Sequence, residues 1–239
     1  MLFFFVRHGE PIYNPDSLTD LGKQQAQALA KRFERKGLDR IYCSTSDRAI
    51  MTAEPTLKAL GKTPMLLNWA HESIAWQYMS VEEGEGRTWV FHKKEYVELL
   101  NSPEIASMGK NWVEHPEFEW RRFREAGWYY EKEFSDFFTS LGYKYNEKDG
   151  SFKVVKENKE RVALFAHQGF GFLFLSWITN IPYPLFSTRF DFGHSSVTTI
   201  SFEGAKGEKS YPKILQVSDL SHLYKEDILN PYNGKTEIF

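Results

Sequence analysis

Cysteine is nearly missing from this chain: Cys43 is the one thiol in 239 residues. That excludes an intrachain disulfide and any cysteine-rich metal centre, and it fits a reducing compartment, so a cytoplasmic location is expected. Long apolar runs are missing too. The opening run, Leu2 to Val6, is too short for the apolar stretch of a secretion signal, has no basic segment before it and leads straight into Arg7. No run approaches the roughly 20 apolar residues of a membrane span. Nor is there an excess of charge. Lysine and arginine total 30 against 32 acidic residues, a net charge of −2, so neither nucleic acid nor an anionic membrane is expected as a partner. Internal repeats, low-complexity tracts and a recognisable linker are also absent. The length and the 41% hydrophobic content are those of one domain with its own core.

The run Leu2-Phe3-Phe4-Phe5-Val6 has no polar alternation, so it reads as a strand buried on both faces, the pattern of an interior parallel strand. It stops at Arg7-His8-Gly9-Glu10. A guanidinium and an imidazole are poorly placed there for packing and well placed for chemistry, because α/β sheets bind ligands outside their carboxyl-terminal strand ends. Thr19 is the expected N-cap of a helix reaching about Lys36, with Gly37 closing it. Arg40 to Cys43 is a second short strand, ending in Ser44-Thr45-Ser46-Asp47-Arg48. A strand that runs through hydroxyls into a helix presents N–H and O–H donors to an anion. Arg48 adds a fork of donors where the helix dipole disfavours a cation, which points to function. Pro55 is expected to kink or interrupt this helix. Pro64 to Leu67 reads as a third strand. Arg161 to Ala166 is another buried strand, and it too stops at a histidine and a glycine, His167-Gln168-Gly169, before a helix from Phe170 to about Thr179. Val197 to Phe202 and Lys213 to Val217 read as a hairpin about a turn at Gly204 to Lys209.

Four pieces together resemble the histidine phosphatase (phosphoglycerate mutase-like) superfamily. They are the strand ending in Arg7-His8-Gly9-Glu10, the L-T-x-x-G-x-x-Q-A stretch from Leu18 to Ala26, the spacing Ser44-x-x-x-Arg48-Ala49-x-x-Thr52-Ala53, and His167-Gln168-Gly169. Ser218-Asp219-Leu220-Ser221-His222-Leu223 is similar to the closing motif of many phosphatase members. The resemblance implies a three-layer α/β/α fold with a mostly parallel central sheet. It also implies a proton donor just beyond the third strand, where Glu72 stands; Glu83 and Glu85 are its rivals. Trp69 and Trp76 are expected to desolvate Glu72 and raise its pKa. Asn14 matches the family's asparagine after the first motif. His194 stands where the family often has asparagine and is a candidate extra donor or charge near the phosphate.

Residues from about 76 to 160 do not match the family core and are expected to form a helical, aromatic-rich cap inserted into the single domain 1–239. A short helix is expected over His92 to Leu100 and a longer one over Pro116 to Leu141. The longer one carries a stripe of Trp120, Phe123, Tyr130, Phe134, Phe137 and Leu141, read as core, with a homodimer seam as the alternative. Arg121, Arg122 and Arg124 lie off that stripe, facing solvent or substrate.

These residues suit phosphate monoester hydrolysis. Arg7, Arg48 and His167 would bind the equatorial oxygens, Asn14 would add a hydrogen bond, and His8 would be the nucleophile, its other nitrogen held by a backbone carbonyl. Glu72 would protonate the leaving oxygen and then activate water. No cofactor or metal is required. His8, His167, Glu72 and Asp219 are possible zinc ligands only on paper, since the neighbouring arginines repel a cation. The family's sugar-acid mutases carry G-x-N-K after the acid; Ser73 to Tyr78 lacks it, which favours hydrolysis over mutase chemistry. A phosphate-binding protein without turnover is the third reading.

Overall fold

The computed structural model describes residues 1–118, 122–228, 231–232 and 236–237. Its first strand, β1 (Leu2–Arg7), sends Phe3 and Phe5 into one hydrophobic layer and Phe4 and Val6 into another. That is the two-residue period of a strand buried on both faces. A small hairpin follows, β2 (Pro11–Tyr13) and β3 (Asp16–Leu18), then α1 (Asp20–Glu34), β4 (Arg40–Ser44), α2 (Asp47–Leu60) and β5 (Met65–Leu67). Residues 72 to 154 supply α3 (Glu72–Met79), the hairpin β6 (Ser80–Glu83) and β7 (Gly86–Trp89), α4 (Lys94–Leu100), α5 (Pro103–Met108), α6 (Phe123–Ser140), β8 (Tyr143–Asn146) and β9 (Ser151–Val154). The chain returns through β10 (Arg161–Ala166), α7 (Gln168–Thr179), α8 (Tyr183–Arg189), β11 (Val197–Ser201), β12 (Lys209–Ser210), β13 (Lys213–Asp219) and α9 (Ser221–Lys225).

The six-stranded sheet has the order β13-β11-β1-β10-β4-β5. Strands β1, β10, β4 and β5 pair in parallel, and β11 runs antiparallel to both of its neighbours. One face packs on α1 and α2 through Leu29, Phe33, Ala49, Ala53 and Leu57. The other packs on α6 and α7 through Phe134, Phe137, Phe138, Phe170 and Phe174. This is the expected three-layer α/β/α arrangement.

Several local expectations are modified. Pro55 does not interrupt α2, which continues to Leu60 and is capped by left-handed Gly61. The adjacent face (Thr52, Ala53, Thr56, Leu57) is buried, and that packing outweighs one lost backbone bond. The helix expected from Pro116 begins only at Phe123, after a short 3-10 turn over Pro116–Phe118. Trp120 and Arg121 lie outside the described residues. The rest of the stripe is buried within the chain: Phe134 lies against Trp69, Phe170 and Phe174, and Phe137 against Phe3, so this stripe is packed internally rather than exposed as a dimer seam. Arg122 pairs with Glu125 and Arg124 with Glu114. Lys209, read as the end of the turn, and Ser210 form β12, which extends the β8–β9 hairpin into a three-stranded sheet.

Candidate active site

Sheet direction brings the site residues together. The carboxyl ends of parallel β1, β4 and β10 lie on one rim, and antiparallel β11 begins there. In the β1–β10 register Arg7 faces Ala166, so the next residues, His8 and His167, emerge side by side with ring centroids 5.2 Å apart. The His194 ring, just before β11, lies 5.8 Å from His8 on another side.

His8 is buried, and its Nδ1 lies 2.7 Å from the carbonyl oxygen of Gly9. Nδ1–H donates to that acceptor, which leaves the lone pair on Nε2. Burial, then the charges of His167, Arg7 and Arg48, hold its pKa well below the ordinary 6.5. The ring is therefore neutral and available as a nucleophile.

The loop carrying His8 is clamped by the motif that opens α1. The Gly9 N–H donates to Thr52 Oγ1 at 2.9 Å, and that hydroxyl donates to Arg48 O at 2.7 Å. The Glu10 N–H donates to Gln25 Oε1 at 2.8 Å. Thr19 donates through its N–H to Glu10 O at 3.0 Å and through Oγ1 to Glu10 Oε2 at 2.7 Å, while accepting from the Gly22 N–H as the helix cap. A Cβ on Gly22 would lie 2.2 Å from Glu10 O, and one on Gly9 would lie 2.7 Å from Gly22 O. Thr19, Gly22 and Gln25 are thus three supports of the loop that carries His8.

Arg7 donates to Phe192 O and, at 2.9 Å, to His194 Nε2. Because arginine only donates, Nε2 of His194 is the acceptor; burial, then Arg7, brings its pKa down to about 3. Arg48 lies 2.8 Å from Asp16 Oδ1, with its guanidinium over the Tyr13 ring at 5.5 Å. Asp16 also accepts the Asp47 N–H at 2.9 Å, so it orients Arg48 and caps α2 together. The sequence does not mark Asp16 as a site residue, because the contact spans more than thirty residues and no local pattern predicts it.

His167 is fully buried. Its Nε2 lies 2.8 Å from Ser44 Oγ and 3.2 Å from Ser46 Oγ. Its Nδ1 has no partner and is 3.6 Å from Glu72 Oε2, which also has none. Burial, then Arg48, His71 and Arg7, hold its pKa well below 6.5. Glu72 opens α3 rather than lying in a loop, and its Oε1 accepts the Gly169 N–H at 2.9 Å. Only a glycine fits there: a Cβ at 169 would meet Glu72 Oε1 at 2.6 Å and Trp89 Cη2 at 2.4 Å.

Arg7, His8, Arg48 and Glu72 all line one cleft of about 450 Å³, walled by Trp76 and Trp89. Glu83 and Glu85 are exposed in the β6–β7 hairpin and do not line it. Trp69, expected beside Glu72, is instead turned into the core by a 3-10 turn over Asn68–Ala70, and Trp89 takes its place beside Glu72. Asn14 is exposed in the β2–β3 turn and is not brought to the cleft wall; its neighbour Tyr13 is. The closing motif supports the His194 loop. Ser218 Oγ accepts the Gly193 N–H at 2.9 Å, and His222 Nε2 lies 3.2 Å from Ser195 Oγ. Asp219 is paired with Arg32, away from the cleft. Among the described residues no group of three or more His, Cys, Asp or Glu is arranged to hold a metal ion.

A mostly parallel sheet that gathers two guanidinium groups and three imidazoles at its carboxyl rim defines an α/β protein of the kind that binds ligands outside its strand ends. Residues 3–126, just over half of the chain, match the family model of the histidine phosphatase superfamily (branch 1), and the chain belongs to that superfamily. Solved structures of similar fold include the phosphoserine phosphatase of Entamoeba histolytica in complex with 3-phosphoglyceric acid, 19% identical with a TM-score of 0.56 over 93% of this chain and 98% of the other. The alpha-ribazole phosphatase of Shigella flexneri is 17% identical, with a TM-score of 0.54 over 92% and 96%. A mycobacterial glucosyl-3-phosphoglycerate phosphatase with inorganic phosphate is 15% identical, with a TM-score of 0.52 over 92% and 98%. At these identities the likeness is one of fold. Among curated proteins no sequence matches the chain.

Proposed function

We propose that this protein is a phosphatase that hydrolyses small phosphate monoesters through a phosphohistidine on His8. The observation that carries the reading is the 2.7 Å contact of His8 Nδ1 with the Gly9 carbonyl, which leaves a neutral Nε2 beside Arg7, Arg48 and His167. A phosphoryl dianion in the cleft would be neutralised by the two guanidinium groups, and His167 would add a donor to an equatorial oxygen. Nε2 attacks phosphorus in line, the N–P bond forms, and the bond to the leaving oxygen breaks as Glu72 delivers its proton to that oxygen. Glu72, now a carboxylate, takes a proton from water. The hydroxide attacks phosphorus, the N–P bond breaks, and orthophosphate leaves with His8 restored. His194 serves as an acceptor that fixes Arg7, and Asn14 would reach the phosphate only if the β2–β3 turn closed over it. Its place in the cleft lining supports Glu72 as the acid over Glu83 and Glu85.

The test is hydrolysis of an aryl phosphate with a chelator present, at pH values of about 5 to 8. Wild type should turn over, and His8→Ala should lose roughly 10³-fold or more. Turnover that survives His8→Ala would refute the nucleophile, and wild type that binds phosphate but never turns over would refute the enzyme.

A further inference from the structure

The chemistry sets where the leaving group must lie. Its oxygen receives the proton of Glu72, so its carbon body sits on the Glu72 side of the phosphoryl position. Two indoles form the wall there. Trp76 is one helical turn along α3 from Glu72, and Trp89 reaches across to the first turn of α7, where Gly169 leaves room for it. The rings meet edge to face with centroids 4.8 Å apart. Trp89 is backed by Phe91, stacked at 5.3 Å, so the wall is braced from behind.

Among the described residues, the polar groups around this wall other than the phosphoryl-side arginines are uncharged or acidic: His71, Ser73, Gln168 and Glu72. His71 Nδ1 accepts from the Ser73 N–H at 3.2 Å and lies 2.7 Å from Ser73 Oγ; burial, then Arg48, holds its pKa down, so the ring is neutral. Gln168, which lines the cleft, donates its amide to Asp191, so its carbonyl oxygen remains as an acceptor. Among the described residues, the cations that line the cleft are Arg7 and Arg48, and both belong to the phosphoryl position. Once Glu72 has given up its proton it is an anion beside the leaving group. A carboxylate on that leaving group would meet repulsion, and among the described lining residues no further cation offsets it.

We propose that the leaving group of this cleft is an uncharged aromatic or similarly flat alcohol, so that the substrate class is aryl and arylmethyl phosphate monoesters rather than carboxylated phosphoesters. The proposal rests on the phosphatase reading above. An aromatic body on the indole pair gains stacking and buried area, and its hydroxyl or amide substituents find Gln168 Oε1 and Ser73 Oγ.

Turnover and binding separate the two claims. With wild type, kcat/KM for 1-naphthyl phosphate should exceed that for 3-phosphoglycerate and phosphoserine by about tenfold to a hundredfold. In Trp76→Ala and in Trp89→Ala the ratio of kcat/KM for naphthyl to ethyl phosphate should fall about tenfold, and Trp→Phe at either position should recover part of it. A purely structural role would lower both esters alike and leave the ratio unchanged, which would overturn the proposal. Calorimetric binding of 1-naphthyl phosphate and of 3-phosphoglycerate to His8→Ala reads the preference without turnover and should show the same order. Equal or reversed affinity overturns the substrate class even if His8-dependent hydrolysis stands. Absence of hydrolysis with naphthyl preference intact would overturn the phosphatase reading and leave the cleft chemistry in place.

Discussion

Substituting Gly22 by alanine sets two effects of opposite sign against each other. Gly22 lies in the first turn of α1, and in an ordinary helix Gly→Ala stabilises by about 1 kcal/mol. Here the new Cβ would lie 2.2 Å from Glu10 O and 2.9 Å from Glu10 N, backbone atoms of the loop that carries His8. Neither neighbour is a flexible side-chain tip, so the loop and α1 must part by about 1 Å to restore a normal contact. Overpacking of this kind costs about 1–3 kcal/mol, and the parting weakens the bonds from Glu10 N–H to Gln25 and from Thr19 N–H to Glu10 O. Against the propensity gain, the net is a loss of roughly 1–2 kcal/mol, or about 3–6 °C in Tm for a chain of this size. The functional effect is larger, because a shift of about 1 Å in a reacting group costs about 10²-fold in rate. Thermal unfolding and aryl phosphate turnover of Gly22→Ala measure both. A variant with raised Tm and unaltered kcat would refute the clamp, since helix propensity would then have decided the outcome alone.

Lowered histidine pKa values predict acid sensitivity. Burial, then Arg7 for His194 and Arg32 for His222, brings both to about 3 in the native state, whereas the unfolded chain protonates them below about 6.5. The unfolded state therefore binds more protons, and stability falls as pH drops from about 6.5 toward 3, each group contributing up to about 2 kcal/mol by pH 5. A Tm that is flat between about pH 7 and 5 would contradict this, and His222→Asn should flatten part of the slope. Arg48→Lys keeps the charge but loses the fork, so kcat/KM should drop about 10- to 100-fold; an unchanged value would remove Arg48 from phosphate binding. Cys43 is fully buried and its thiol is pushed up to about 12, so a thiol reagent near neutral pH should label it only at the rate of unfolding, and rapid labelling of native protein would contradict the buried strand.

Strand ends were legible because apolar runs stop abruptly at charged groups: Val6 before Arg7 and His8, and Ala166 before His167. The sheet's register then turns those two breaks into one pair of neighbouring rings. The supports were half legible. Thr19 was readable as a cap, but that Gly22 touches Glu10 and Gln25 holds its N–H depends on how α1 lies against the loop. Asp16 and Trp89 escaped, since each meets its partner across the chain, with Arg48 in one case and with Glu72 and Gly169 in the other. Trp69 was misplaced for a local reason: a three-residue turn decides whether an indole faces cleft or core, and the residues alone do not state its direction. Asn14 shows the limit of a motif match, because the family position is present while the turn holds the side chain out in solvent.

The central claim is a covalent phosphoryl group on His8. Its most direct test is rapid-quench peptide mapping of Glu72→Gln during turnover of 4-nitrophenyl phosphate. This leaving group needs little protonation, so the phosphoenzyme forms, and loss of the base that activates water lets it accumulate. The account predicts an initial burst of nitrophenol and an acid-labile, base-stable phosphoryl adduct on the peptide bearing His8. Steady turnover with no burst and no adduct, or an adduct on any other residue, would contradict it.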